Sequence, residues 1–140
     1  MWITGWRWGA HYYIRAIFIC ERLGIREPVI LLIDTGASTT TFFAEDIGLP
    51  TSTYQALPPT ATVMTLGGPQ RHRRIPYEVR LIFVTVAGRP HAVDLNGCDV
   101  ISRSSIGIES PLHFQGILGM DIINRFSRWS ANGRRIVFEI

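Results

Sequence analysis

Residues 29–36 read Val-Ile-Leu-Leu-Ile-Asp-Thr-Gly, and this stretch decides the fold. Five consecutive apolar residues, Val29–Ile33, bounded by turn-forming residues are typical of a short strand buried on both faces. A carboxylate at the end of such a strand is costly unless hydrogen bonds replace its hydration. The small residues after Asp34 favour hydrogen bonding and close approach of another backbone. An ordinary Asp-Gly turn would explain the tripeptide but not its position, so the pattern indicates a rigidly held carboxylate.

A second motif lies near the C-terminus, where residues 116–126 read Gly-Ile-Leu-Gly-Met-Asp-Ile-Ile-Asn-Arg-Phe. The pattern predicts a short apolar strand, a glycine and then a helix. Together the two motifs resemble the retropepsin-like aspartic proteases, the single-domain relatives of pepsin. In that family an apolar-apolar-Asp-Thr-Gly-Ala segment pairs with a later apolar-apolar-Gly strand. Residues 32–37 and 117–119 match these two elements, and the resemblance runs from about Tyr12 to Ile140.

The resemblance implies an all-β fold. It implies a closed β-barrel of the acid-protease type, with one short C-terminal helix and one lobe per chain. Residues 12–140 would form the protease domain, and residues 1–11 would form an N-terminal extension rich in tryptophan. Trp2, Trp6 and Trp8 can anchor a partner, or they can cover a sheet edge or a dimer contact. We favour the second interpretation.

Composition agrees with a single globular domain. The chain has 140 residues, of which 46% are apolar and 18% charged, enough for a sizeable core and too apolar for disorder. No apolar stretch is long enough to span a membrane, and the N-terminus lacks the pattern of a signal peptide. Cys20 and Cys98 form no Cys-x-x-Cys motif. We therefore expect two reduced, buried thiols in a cytoplasmic protein.

The chemistry implied by the resemblance assigns catalysis to Asp34, Thr35 and Gly36. Hydrolysis by carboxylates needs one group to deprotonate water and another to donate a proton to the substrate carbonyl. The chain contains Asp-Thr-Gly once, so the second carboxylate must come from a second copy across a two-fold axis. The predicted function is an aspartic endopeptidase that cleaves peptides or proteins with an Asp34/Asp34′ dyad in a homodimer. The alternative is a catalytically silent peptide- or protein-binding domain on the same fold.

Substrate contacts are also implied by the resemblance. Gly36 would pass close to the substrate backbone, and Ala37 matches the viral pattern, whereas Ser38 stands where viral enzymes often carry a second aspartate. Two strand-like arms around a Gly-Gly-Pro turn predict a hairpin, which in the family is the flap that covers the substrate. A plain surface hairpin is the alternative. The predicted substrate-binding residues are Gly36, Ala37, Ser38, Leu66, Gly67, Gly68 and Ile117.

Other polar residues of the sequence favour structural roles. The net charge is +3, and Arg71–Arg74 form the one basic cluster, which can attract nucleic acid or keep a hairpin edge solvated. We favour the second, since no nucleic-acid motif accompanies the cluster. Asp121 begins a helical pattern, where carboxylates favour the helix N-terminus, so it is not expected to be the second catalytic acid. The histidines and cysteines lack metal-ligand spacing, and we predict neither a metal nor a cofactor.

Overall fold

Twelve strands make up the sheet of this protein in a computed structural model, which describes residues 1–65, 68–108, 110 and 112–140. The strands are β1 (Trp2–Trp8), β2 (His11–Cys20), β3 (Ile25–Ile33), β4 (Thr41–Phe43), β5 (Pro59–Thr65), β6 (Gly68–Ile75), β7 (Val79–Val84), β8 (Pro90–Leu95), β9 (Cys98–Ile101), β10 (Gly116–Leu118), β11 (Arg128–Asn132) and β12 (Arg135–Glu139). The all-β prediction is therefore confirmed.

The strands pair in the order β11-β12-β1-β2-β3-β10-β4-β9-β6-β5, and β7 pairs with both β2 and β8. Within the described residues this path does not return to its start, so the sheet is open and the predicted closed barrel is wrong. The cause lies in β2, whose first residues pair with β1 while Ile17–Ile19 pair with β7. The sheet branches at this long strand and does not close.

Two short α-helices accompany the sheet, α1 (Thr51–Ala56) and α2 (Met120–Ile123), together with 3-10 turns at Glu21–Leu23 and Ser104–Ile106. The sequence predicted one helix, at the position of α2. The extra helix follows Pro50 and ends before Pro58, and its six residues are too few to show an apolar period. No helix among the described residues combines the length and the apolar character needed to cross a membrane.

The position of β10 organises the centre of the sheet. This three-residue strand lies between β3, with which it runs parallel, and β4, with which it runs antiparallel. Leu118 is the register partner of Ile33 at the end of β3. Because parallel strands end at the same edge, the segment after Ile33 and the segment after Leu118 emerge side by side.

Burial is one-sided along β3. Val29 and Leu31 are fully buried, whereas Ile30 and Leu32 are half-buried. The apolar run had predicted a strand buried on both faces, so only one of its faces follows that prediction. The fully buried face packs into a core that includes the edge-to-face ring pair Phe18 and Phe42, with centroids 4.7 Å apart. The other face is the one that leads to Asp34.

The Trp-rich segment forms β1, which pairs with β12 along most of its length and with the start of β2. Ile3 is buried at 1% exposure, while Trp2 and Trp8 are exposed. The guanidinium carbon of Arg128 lies over the Trp2 ring, 5.5 Å from its centroid. Residues 2–8 therefore take part in the main sheet, and the domain boundary after residue 11 stays a prediction.

Candidate active site

Asp34 follows directly after β3, and hydrogen bonds hold both its backbone and its carboxylate. Its N–H donates to the carbonyl of Leu118 at 3.0 Å, and its own carbonyl accepts from the Ala37 N–H at 3.1 Å. The Oδ1 atom accepts from the Gly36 N–H at 2.9 Å. The side chain remains partly accessible. This tight loop orients one carboxylate oxygen and leaves the group within reach of solvent.

The second half of the loop is fastened to the start of α2. Ala37 accepts a hydrogen bond from the Met120 N–H at 2.8 Å, and Ser38 accepts one from the Asp121 N–H at 3.2 Å. These are N–H groups that a helix cannot satisfy within itself at its first turn. The loop that carries Asp34 and the short helix therefore complete each other's backbone hydrogen bonding.

A brace formed by Thr40 and Asp121 closes this arrangement. The Thr40 hydroxyl donates to Asp121 Oδ1 at 2.6 Å and accepts from the Gly119 N–H at 2.9 Å. The Thr40 N–H also reaches the same carboxylate, at 3.0 and 3.1 Å from its two oxygens. Asp121 additionally accepts from the Ile122 N–H at 2.9 Å. Its carboxylate is thus engaged in structure, as the sequence interpretation expected.

Gly119 lies where two backbones approach closely. A Cβ atom at this position would lie 2.7 Å from the carbonyl carbon of Thr39 and 3.0 Å from the carbonyl oxygen of Ala37. Real Cβ atoms do not approach backbone this closely. The glycine of the second sequence motif is therefore explained by the packing of the Asp34 loop against it.

Most of the predicted substrate-binding residues belong either to the Asp34 loop or to the segment predicted as the flap. Gly36 and Ser38 are exposed on the loop, Ala37 is half-buried beside them, and the described Gly68 begins β6 opposite Thr65. Leu66 and Gly67 lie outside the described residues. The β5–β6 hairpin predicted as a flap is present, and its relation to Asp34 stays a prediction.

Ile117 belongs to the same side of the sheet as Asp34. It is the register partner of Leu32, which in turn lies opposite Tyr13 on β2. Side chains alternate along a strand, so Leu32 shares its face with Asp34, two residues further on. Leu32 and Ile117 are both half-buried. This face therefore offers apolar surface next to the carboxylate.

An aromatic cluster that no local sequence pattern indicated adjoins this face. The Tyr13 hydroxyl and His113 Nε2 are 2.9 Å apart, and the Trp8 and His113 rings meet edge to face with centroids 4.4 Å apart. Phe114 packs against His113 at 5.2 Å. Tyr13 and His113 are separated by 100 residues. The only available signal was the concentration of aromatic residues in the first 13 positions.

The basic segment 71–74 is tied into the fold at its described side chains. Arg73 donates to the carbonyl of Leu57 at 2.8 Å, and Arg74 pairs with Asp99 at 3.2 Å. His72 lies on β6, which pairs with β9, and is only 8% exposed. These contacts favour the structural interpretation of the cluster over a surface for nucleic acid.

Among the described residues, no group of three or more His, Cys, Asp or Glu side chains is arranged to hold a metal.

Buried His72 should make stability depend on pH. Burial lowers the pKa of His72 below its ordinary value of 6.5, and the nearby Asp99 carboxylate opposes that shift. The unfolded chain therefore binds a proton first as pH falls through 6.5, and the folded state loses stability until His72 itself is protonated. We expect the free energy of unfolding to fall less between about pH 7.5 and 5.5 in His72→Phe than in wild type.

Urea unfolding at each pH measures this difference. His11→Asn is the matched control, because it removes an exposed histidine from the same chain. An identical pH dependence in wild type and His72→Phe would show that His72 titrates alike in the folded and unfolded states.

Comparison with known proteins adds to this geometry. No protein-family model matches the sequence, and no curated protein matches it. The structure is similar to that of a retropepsin-like aspartic protease from Rickettsia conorii, with a TM-score of 0.62 and 18% sequence identity. The alignment covers 99% of this chain and 90% of that one. The chain has a retropepsin-like fold.

A looser similarity links this retropepsin-like chain to the retroviral protease-like domain of Ddi1 from Leishmania major. The TM-score is 0.42 and the identity 17%, over 85% of this chain and 80% of that one. The similarity at 18% identity is one of fold.

Proposed function

We propose that this chain is an aspartic endopeptidase that acts as a homodimer. The observation that carries the proposal is the Asp34 carboxylate, which is oriented by the Gly36 N–H at 2.9 Å yet remains accessible. The loop around it is anchored to β10 and α2 in a retropepsin-like fold. A carboxylate held this way is suited to proton transfer, since its position is fixed before substrate arrives.

The proposal requires a second carboxylate, and within this chain Asp121 does not supply it. Its oxygens already accept hydrogen bonds from Thr40 and from the Ile122 N–H. A second copy related by a two-fold axis would place another Asp34 opposite the first. Two carboxyls that close cannot both ionise easily, so the pair shares one proton at working pH.

The reaction then needs no metal and no cofactor. The ionised Asp34 takes a proton from a water molecule as the water oxygen attacks the carbonyl carbon of the peptide bond. The protonated Asp34 of the other copy donates its proton to the carbonyl oxygen, which gives a tetrahedral intermediate. Collapse of this intermediate breaks the C–N bond, and the leaving nitrogen receives the proton held by the carboxyl that had deprotonated water. One hydroxyl of the intermediate returns its proton to the other carboxylate as the C=O bond of the product acid forms, so the dyad again holds one proton.

The neighbouring residues would serve positioning and binding in this mechanism. Thr35 would hydrogen-bond across the two-fold axis and brace the two loops, and Gly36 would offer its carbonyl to the substrate backbone. Ala37, Ser38 and Ile117 would contact the substrate on either side. The β5–β6 hairpin would cover the bound peptide as a flap, and Leu66, Gly67 and Gly68 would contact the peptide.

The compartment proposed for this protein is the cytoplasm. Cys20 and Cys98 are both free and buried, and burial raises the pKa of the Cys98 thiol well above its ordinary range. Thiols of this kind are poorly reactive and fit a reducing environment, although they do not depend on one.

Cleavage of a diverse peptide pool at several protein concentrations tests the proposal. We expect Asp34-dependent cuts whose rate per mole of chain falls on dilution, because dilution separates the two copies that form the site. Products are identified by mass spectrometry at about pH 3 to 7. A folded, demonstrably dimeric wild-type protein that cuts no peptide would favour the binding-domain alternative, and a rate per mole independent of dilution would contradict the shared dyad.

A further inference from the structure

A cavity of about 210 Å³ lies beside the loop that carries Asp34. Its walls come from β6, the β8–β9 turn, α2 and the segment just before β4. Asp34 itself does not line it. Its lining includes Thr40, Arg74, Gly97, Asp99, Asp121 and Arg125.

Two arginines from different elements line this cavity, and each donates to a backbone carbonyl near the end of β8 or just after it. Arg74 Nη2 donates to the carbonyl of Asn96 at 2.8 Å, and Arg125 Nη1 donates to the carbonyl of Asp94. A guanidinium carries five N–H donors. Arg74 also donates Nη1 to the Asp99 carboxylate, so its Nη1 and Nη2 atoms and the Nη1 atom of Arg125 are engaged. Each guanidinium still has further N–H donors for an occupant.

The acidic side chains of the cavity are already committed to partners. Asp99 Oδ1 accepts from Arg74 at 3.2 Å, and its Oδ2 lies 3.9 Å from His72 Nδ1. Asp121 accepts hydrogen bonds from Thr40. Arg125, by contrast, has no salt bridge within 4.0 Å among the described residues. The cavity thus contains a cation that lacks a carboxylate partner there.

Gly97 leaves room for the Arg74 guanidinium. The residue has φ +90, a conformation that favours glycine. A Cβ atom here would lie 3.2 Å from both Nε and Nη2 of Arg74 and 2.5 Å from the carbonyl oxygen of Ile75. Any side chain at this position would therefore displace the guanidinium that faces the cavity.

We propose that this cavity binds a carboxylate group between the guanidinium groups of Arg74 and Arg125. Arginine forks match the planar carboxylate and can bind it with two parallel hydrogen bonds. The carboxylate could belong to a small free acid or to an acidic side chain of a bound peptide. The proposal does not depend on protease activity. An occupant would contact Thr40, and so touch the loop that carries Asp34.

Titration of the ¹⁵N-labelled full chain with succinate, followed by NMR, tests this site. We expect saturable shifts of the Arg125 Nε–H signal and of the amides of Thr40, Gly97 and Asp99. Arg125→Gln should raise the dissociation constant of succinate about tenfold or more, since it removes a charge-assisted pair. Arg89→Gln removes the same charge from the exposed β7–β8 turn and should change binding less than about twofold.

Two further probes distinguish the source of the carboxylate. Saturation by N-acetyl-glutamic acid amide, without saturation by its glutamine analogue, would assign the site to an acidic side chain of a peptide. Saturation by succinate alone would assign it to a small free acid. The proposal would be overturned if neither probe saturates, if sodium chloride at equal ionic strength gives the same shifts, or if Arg89→Gln weakens binding as much as Arg125→Gln.

Discussion

Replacement of Asp34 by asparagine should lower kcat/KM for peptide cleavage by about 10³-fold or more, while the protein remains folded. Asparagine keeps an oxygen that can accept the Gly36 N–H, which in wild type lies 2.9 Å from Oδ1. It cannot take a proton from water at any pH of the assay. The variant therefore removes proton transfer from the site and leaves the loop in place.

The matched control is Glu78→Gln, which removes one exposed carboxylate far along the sequence from the Asp34 loop. We expect this variant to cleave at the wild-type rate. Cleavage is followed with a peptide identified from the pool, and folding is followed by circular dichroism and by the midpoint of urea unfolding. An Asp34→Asn protein that retains wild-type activity would show that the cuts come from another residue or from a contaminant.

Mixing wild type with Asp34→Asn tests the shared dyad more directly than assaying either protein alone. If subunits exchange freely, equal amounts of wild type and Asp34→Asn yield about one quarter wild-type homodimers, and only these carry two catalytic carboxylates. Activity should then fall to about a quarter of that of wild type at the same total concentration. A monomeric site would instead leave about half. The shape of the curve against mixing ratio separates the shared dyad from a site contained in one chain.

The Asp34 loop could be predicted from the sequence because its determinants are local. The end of β3, the turn after Asp34 and the strand, glycine and helix around Gly119 all lie within short segments whose residue types match their conformations. The β11–β12 hairpin belongs to the same class, since Asn132 pairs with Arg135 and Gly133, at φ +52, adopts the left-handed conformation that the two-residue turn needs.

The parts that could not be predicted depend on contacts between distant residues. Closure of the barrel depends on how β2 shares its edge between β1 and β7, and no local pattern records that choice. The sequence pattern predicts that the half-buried face of β3 is fully buried, because Ile30 and Leu32 are as apolar as their buried neighbours. Likewise, nothing near Asp121 in the sequence indicates that its carboxylate binds Thr40, 81 residues away.

That distant contact leads to the second large expected effect, on stability. Thr40→Val should lower the free energy of unfolding by about 3 kcal/mol. Valine has the shape of threonine but loses the hydroxyl that donates to Asp121 at 2.6 Å and accepts from Gly119 at 2.9 Å. Thr40 is 1% exposed, so water cannot easily replace the partner of the Gly119 N–H. The cost is that of an unsatisfied buried donor together with a lost bond to a charged group.

Thr40→Ser is the matched control, because serine keeps the hydroxyl and removes only a methyl group. It should cost about 1 kcal/mol or less. Urea unfolding is compared at one fixed protein concentration, since dimer formation would make the midpoint depend on concentration. If the valine variant is as stable as the serine variant, the brace contributes packing and no hydrogen-bond energy.

A double-mutant cycle with Asp121→Asn then isolates the pair. Asparagine at position 121 keeps an oxygen that can accept from the Thr40 hydroxyl, but it removes the charge that strengthens this bond and the bonds from the Thr40 and Ile122 N–H groups. The two substitutions should therefore be less than additive, with a coupling energy of about 1 kcal/mol or more. Additive costs would mean that Thr40 acts through Gly119 alone. Coupling would show instead that the loop of Asp34 and the helix after β10 are held by one shared hydrogen-bond network.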